Sequence, residues 1–342
     1  MKLPETTTPD PHEAPGIRWG VLGPGGIAHT FADAVAVGTA STVVAVGSRS
    51  LDRAQTFAAE FGIDRAHGSY EALVADEGVD AIYVASPHSE HHAHALLAIG
   101  AGKPVLVEKA FARNAAEARE VFAAANERGL LAAEAMWSRH LPHYDVVRQV
   151  AESGLIGEVT TVFADHGQYL YPNGPARLSQ PELAGGALLD LGVYPVSFAD
   201  HVLGPATSVH AAGTLTDLGV DATTSIIVTN AAGAHGVLSC TMAAATPCTA
   251  IVSGTAGRLE LSGTFYGAAS VRLFDREHHL VDERPGGLVD GVRGFSYEAA
   301  DFARCLVAGR HESATMPWAA TLRVMETMDE VRRQMGLRYP GE

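Results

Sequence analysis

The run Arg18-Trp19-Gly20-Val21-Leu22-Gly23-Pro24-Gly25-Gly26-Ile27-Ala28 constrains this chain more than any other. A strand-like stretch passes straight into a G-x-G-x-x-A turn, and residues 27–37 continue with apolar side chains at helical spacing. Each small residue has a physical role in such a turn. Gly23 permits the tight reversal, Gly25 lets a pyrophosphate approach the backbone, and Ala28 lets the helix pack close to the strand. Gly26 and Ile27 open a helix whose unpaired amides point at the same anion. A glycine turn alone is a weak signal. Placed between a strand and a helix in an alternating series, it reads as a dinucleotide-binding crossover.

That series continues to residue 135. Strands are expected at 17–22, 41–47, 81–85, 105–107 and 130–135, with helices at 27–37, 51–61, 70–76 and 91–99 between them. Ser50 stands where a helix cap belongs, and Asn114 with Glu117 forms a capping box for a helix running to Asn126. Short runs that are apolar on both faces describe a parallel sheet covered by helices. After Trp137 the texture changes. A long strand at 159–166 and a helical segment at 186–201 precede alternating runs at 207–215, 223–230, 236–243 and 249–253, with shorter strands near Leu259 and Val271 and closing helices at 297–307 and 318–335. The expected fold class is α/β: an N-terminal Rossmann domain (17–135) and a C-terminal α+β domain (136–342) built on a large, mostly antiparallel open sheet, after a flexible polar tail (1–16). One face of that sheet needs a cover, so a homodimer or tetramer formed through the C-terminal sheet is expected.

Composition narrows the function classes. The formal charge of −15 makes a poor electrostatic partner for nucleic acid. Neither a signal-type apolar run nor a bilayer-length segment occurs, so no membrane role and a soluble cytoplasmic protein are expected. Cys240, Cys248 and Cys305 have no C-x-x-C spacing and predict neither a disulfide framework nor a thiolate metal site. His88, His91, His92 and His94 crowd one segment, but neighbouring helical positions face different ways, so no metal is expected there.

The second strand ends at Gly47-Ser48-Arg49, with no Asp or Glu to bind an adenosine ribose. A hydroxyl and a guanidinium fork suit a 2′-phosphate, which favours NADP with NAD as the alternative. Arg53, one turn on, either assists or is ordinary surface. Two further strand ends carry polar residues where open parallel sheets bind ligands: Ser86-Pro87-His88 and Glu108-Lys109-Ala110. A third segment, Gly185-Gly186-Ala187-Leu188-Leu189-Asp190-Leu191-Gly192-Val193-Tyr194, places Asp190 and Tyr194 four apart on one face of a helix.

Together with Ala101-Gly102-Lys103-Pro104-Val105-Leu106-Val107-Glu108-Lys109, these segments resemble the glucose-fructose oxidoreductase, inositol dehydrogenase and rhizopine catabolism (Gfo/Idh/MocA) family, over nearly the whole chain after Gly16. Glu134-Ala135-Met136-Trp137-Ser138-Arg139 and Tyr194 are similar to its dihydrodiol dehydrogenase and NADP-dependent D-xylose dehydrogenase branch. The resemblance implies NAD(P)-dependent hydride transfer at a carbinol or anomeric centre of a sugar-like compound. It makes Lys109 the active-site lysine, Asp190 the helix carboxylate, and Tyr194 the residue standing where sugar-handling relatives have histidine. The chemistry agrees: an ammonium stabilises a developing alkoxide and lowers the pKa of a nearby tyrosine, which then exchanges the hydroxyl proton. Asp190 either orients the substrate or holds Lys109 protonated. Ser86, His88 and Glu108 join the cofactor set, while Trp137, Arg139, His166 and Tyr169, with Tyr171, are candidates to shape the substrate pocket. Each has a plain packing alternative.

Two departures from the family pattern stand out. Ala110 replaces the proline that usually follows the lysine, often through a cis bond, so a trans or strained Lys109–Ala110 bond is expected. His166 stands where the branch has phenylalanine, making the pocket more polar and favouring a polyol over an aromatic diol. The leading expectation is an NADP-dependent aldose 1-dehydrogenase of D-xylose type. The alternatives are a keto-sugar reductase, a trans-dihydrodiol dehydrogenase, and a non-catalytic NADP-binding regulator.

Overall fold

A computed structural model describes residues 1–286 and 294–342, and the chain divides into two compact units. One unit comprises Pro9–His140 with Val292–Leu322. Its strands are β1 (Arg18–Leu22), β2 (Thr42–Gly47), β3 (Arg65–His67), β4 (Ala81–Val84), β5 (Val105–Glu108) and β6 (Ala132–Ala135). They form one parallel sheet in the order β3-β2-β1-β4-β5-β6. The chain reverses direction across this sheet between β1 and β4, which opens a ligand crevice at their carboxyl ends. The connecting helices are α1 (Gly26–Gly38), α2 (Leu51–Phe61), α3 (Tyr70–Val74), α4 (His91–Gly100) and α5 (Ala115–Arg128).

Local sequence explains where those helices start. Ser50 Oγ accepts from the Arg53 amide at 3.4 Å, and Asn114 Oδ1 accepts from the Glu117 amide at 2.9 Å. The Glu117 carboxylate also accepts from the Arg113 amide at 3.0 Å and pairs with the Arg113 guanidinium. Strand β3 was not expected, since three residues leave no readable period.

The other unit comprises Met1–Thr8, Leu141–Gly291 and Arg323–Glu342. It holds α6 (Pro142–Ser153), β7 (Val159–Gly167), α7 (Val193–Leu203), β8 (Ala206–Leu215), β9 (Asp221–Asn230), β10 (His235–Thr241), β11 (Ala250–Gly254), β12 (Gly257–Leu261), β13 (Val271–Asp275) and β14 (Leu280–Arg284). Its sheet runs β14-β13-β12-β11-β7-β10-β9-β8 and is antiparallel at every described pairing except β7 with β10. Helix α7 packs on β7 and β10. On these strands Val237 pairs with both Phe163 and Ile227, and the three side chains are 40, 45 and 45% exposed.

Two boundaries differ from the sequence reading. The late helix α8 (Phe295–Val307), which precedes α9 (Trp318–Met335), belongs to the Rossmann unit: Phe302 lies 4.9 Å from Trp19 between ring centroids, and Trp19 meets Phe31 edge-on at 5.3 Å. Chain-order alternation cannot tell which core a distant amphipathic helix will cover. The tail is also pinned at its start. Leu3 is 1% exposed with its amide on Asp282 at 2.9 Å, and the Thr7 amide donates to Asp145 at 2.6 Å. One apolar anchor and a few charge-assisted bonds hold a segment whose composition reads as loose.

Candidate active site

In the Rossmann unit the glycine turn has the geometry its sequence requires. Gly23 sits at φ +93°, a conformation L side chains rarely adopt, and a Cβ there would come within 3.2 Å of the Ala85 carbonyl oxygen. Helix α1 begins at Gly26 behind an N-cap, Gly25, that supplies no side-chain hydrogen bond. Nothing would stand within 4 Å of a Cβ on Gly26, whereas Ala28 is buried in the core. The helix therefore presents a bare N-terminus with open space beside it, which fits a pyrophosphate. Beyond β2, Ser48 is buried with its Oγ accepting from the Ser50 amide at 3.2 Å, while Arg49 and Arg53 are exposed. The set fits a dinucleotide carrying a phosphate on its adenosine ribose.

Strand β5 delivers Glu108 and half-buried Lys109 at its carboxyl end. The Lys109–Ala110 peptide is cis rather than trans, although no proline follows the lysine. Both carbonyls of this turn are engaged by histidines: His88 Nε2 lies 3.2 Å from Lys109 O, and His91 Nδ1 lies 2.9 Å from Ala110 O. Glu108 turns into the core, where its carboxylate accepts from the Tyr83 hydroxyl and, at 3.1 Å, from the Lys109 amide. Ser86, ending the β4 loop, has its carbonyl oxygen 2.8 Å from His91 Nε2 and contacts His94 through its Oγ. Trp137 stacks on Phe295, with ring centroids 4.7 Å apart, and Arg139 is buried with its charge acting on Glu134. Among the described residues no cluster of three or more His, Cys, Asp or Glu side chains is arranged to hold a metal ion.

The other unit carries a second cluster. Residues Leu188–Gly192 form a π turn that runs into α7 at Val193, so Asp190 lies in the π turn and Tyr194 in the first turn of the regular helix. Backbone constraints just upstream account for part of this: Gly186 has φ +117°, and the Leu188 amide donates to buried Asp221 at 2.6 Å. Asp190 pairs with Arg177 at 3.0 Å. Tyr194 and His166 are both buried, with ring centroids 5.2 Å apart.

Tyr266, which sequence reasoning missed, closes this cluster. Its ring stacks on His166 at 4.1 Å and lies 4.6 Å from Tyr194. His166 Nδ1 donates to Leu191 O at 3.1 Å, which leaves Nε2 to accept from Gln168 Nε2 at 2.9 Å. The same Gln168 amide donates to the Tyr266 hydroxyl at 3.3 Å. Tyr169 is 65% exposed and Tyr171 half-buried, outside these contacts.

A nucleotide-binding parallel sheet with a lysine at a strand end, and a separate unit presenting a carboxylate and tyrosine beside an open sheet, define an NAD-binding oxidoreductase architecture. Residues 17–136 match the oxidoreductase family with an NAD-binding Rossmann fold, and residues 144–260 match the GFO/IDH/MocA C-terminal domain. The chain belongs to the GFO/IDH/MocA family of oxidoreductases. It is 35% identical over 332 residues to trans-1,2-dihydrobenzene-1,2-diol dehydrogenase of Mus musculus, covering 95% of this chain and 99% of that one. The Xenopus laevis enzyme of the same name is 36% identical over 332 residues, covering 94% and 99%. A 3-ketoreductase from Actinomadura kijaniata, crystallised with NADP and TDP-benzene, superposes with a TM-score of 0.82 at 30% identity, covering 94% and 98%.

Proposed function

We propose that this oxidoreductase uses NADP to oxidise a sugar or sugar-like polyol, an aldose of D-xylose type at its anomeric hydroxyl. The observation that carries the substrate class is the polar arrangement at Tyr194: His166, Gln168 and Tyr266 form a connected set of hydrogen-bonding groups on its flank. A site able to hydrogen-bond several hydroxyls rejects ligands that leave those groups unpaired. Bound NADP supplies the hydride acceptor. Lys109 stabilises negative charge as it develops on the substrate oxygen, and Tyr194 takes the hydroxyl proton. Asp190, held by Arg177, orients the substrate. Ser48 and Arg49 bind the 2′-phosphate, the open start of α1 binds the pyrophosphate, and a second copy of the chain covers the apolar sheet face.

The clustered rings of His166, Tyr194 and Tyr266 favour one second reading, oxidation of a trans-dihydrodiol, the substrate in the names of the relatives. A panel of D-xylose, D-glucose and trans-1,2-dihydrobenzene-1,2-diol, each assayed with NADP and with NAD, separates the two. Faster turnover of an aldose with NADP supports the first reading. Turnover of the diol alone selects the second, and turnover of neither removes both.

A further inference from the structure

Among the crowded histidines, each of the four has its own partner. His92 pairs with Glu120 at 2.8 Å, and His94 meets Ser86 Oγ at 2.9 Å. His91 is different: it is 1% exposed, and its ring lies between two backbone carbonyls, Ser86 O at 2.8 Å from Nε2 and Ala110 O at 2.9 Å from Nδ1. Ser86 follows β4 and Ala110 follows β5, adjacent strands in parallel register from Ile82 with Val105 to Val84 with Val107. One side chain therefore ties together the two loops that emerge at the ligand end of the sheet. His88 supports the same turn through Lys109 O, with its ring 5.5 Å from that of His91.

We propose that His91 is a positioning residue for Lys109, fixing the Lys109–Ala110 turn through the Ala110 carbonyl and aligning it with the Ser86 loop. The inference rests on the reading of Lys109 as the charge-stabilising group. The physical case is one of leverage, because a misplacement of about 1 Å in a reacting group costs about 10²-fold in rate. A buried carbonyl without a donor is itself costly, so removal of the ring forces the turn to find another partner. Burial pushes the His91 pKa down to about 4 against the opposing pull of the two carbonyls. Near neutrality the ring then carries one proton and donates one hydrogen bond, and the proposal places that proton on Nδ1, towards Ala110 O.

That placement supplies the test. An asparagine amide takes the place of Nδ1 and a glutamine amide that of Nε2, so His91→Asn keeps a donor on Ala110 O and His91→Gln moves the donor to Ser86 O. The only lysines in the chain are Lys2, Lys103 and Lys109. Lys103, which precedes β5 whereas Lys109 follows it, donates through Nζ to Asp76 O and Val79 O and serves as internal reference. The measurement is the trinitrobenzenesulfonate labelling rate of Lys109 relative to Lys103, resolved by peptide mass spectrometry on the full-length protein with and without NADP. The proposal expects a several-fold change in that ratio for His91→Gln and His91→Leu and a near wild-type ratio for His91→Asn. An unchanged ratio in His91→Gln, or equal changes in His91→Asn and His91→Gln, overturns it. If His91→Leu fails to fold, the two amide variants decide alone. Lys109→Ala assayed separately tells a failure of the underlying reading from a failure of this one, since labelling reports placement whatever Lys109 does to substrate.

Discussion

Glu134 illustrates how a single residue ties stability to pH. It is fully buried, its Oε2 accepts from the Thr321 hydroxyl at 2.9 Å, and burial raises its pKa to about 7, with buried Glu108 pushing the same way. A carboxyl whose folded pKa exceeds its unfolded value of 4.5 stabilises the fold fully below about pH 4.5, and that stability is lost as pH rises towards about 7. The loss is on the order of 3 kcal/mol at neutral pH and above. Glu134→Gln, which keeps an acceptor for Thr321, should therefore gain thermal stability over wild type at pH 8 but not at pH 5. Equal differences at both pH values would remove the argument. Arg49 carries a second prediction: Arg49→Ala should weaken NADP binding about 10- to 100-fold, the worth of a charged hydrogen-bonding partner, and leave NAD affinity nearly unchanged by fluorescence titration. At this scale the sequence was legible where the backbone needs a particular residue, as at Gly23 with its φ of +93°. Tyr266 was not legible, because it lies 98 residues from Gln168 and only folding joins them. The same holds for Arg177, which sits in a Gly- and Pro-rich loop with no periodic pattern to mark it.

The segment from Gly186 to Leu203 shows what periodicity conveys about an element and what it omits. Its apolar pattern marks helix correctly but not the π turn at Leu188–Gly192, whose backbone is held by a residue at a distant strand start. Asp221 binds the Leu188 amide, and a Cβ on Gly186 would stand 2.1 Å from Asp221 Oδ1. Gly186→Ala combines that clash with a φ of +117° and should destabilise the protein by about 1–3 kcal/mol in urea unfolding. It should also impair turnover, since the turn carries Asp190; wild-type stability would show that the turn relaxes without cost. Strand β14, like β3, went unread because short, polar runs such as Leu280–Arg284 carry too few apolar positions to show a period.

For the molecule as a whole, alternating strands and helices revealed the Rossmann domain, while the strand order and the assignment of α8 and of the first residues required tertiary packing. The side-by-side exposure of Phe163, Ile227 and Val237 gives the oligomer proposal a direct handle. Val237→Asp puts a charge at the centre of that patch and should shift the protein to monomer in light scattering after size-exclusion chromatography. A wild-type protein already monomeric at micromolar concentration would defeat the proposal. The central claim, NADP-dependent hydride transfer assisted by Lys109, is tested most directly by comparing wild type with Lys109→Ala for NADPH formation across the aldose and diol panel, alongside NADP affinity. The account predicts that the variant binds NADP as wild type does and loses about 10²- to 10³-fold in kcat, the effect expected from deleting one group that stabilises the transition state. Turnover within a few-fold of wild type would contradict it.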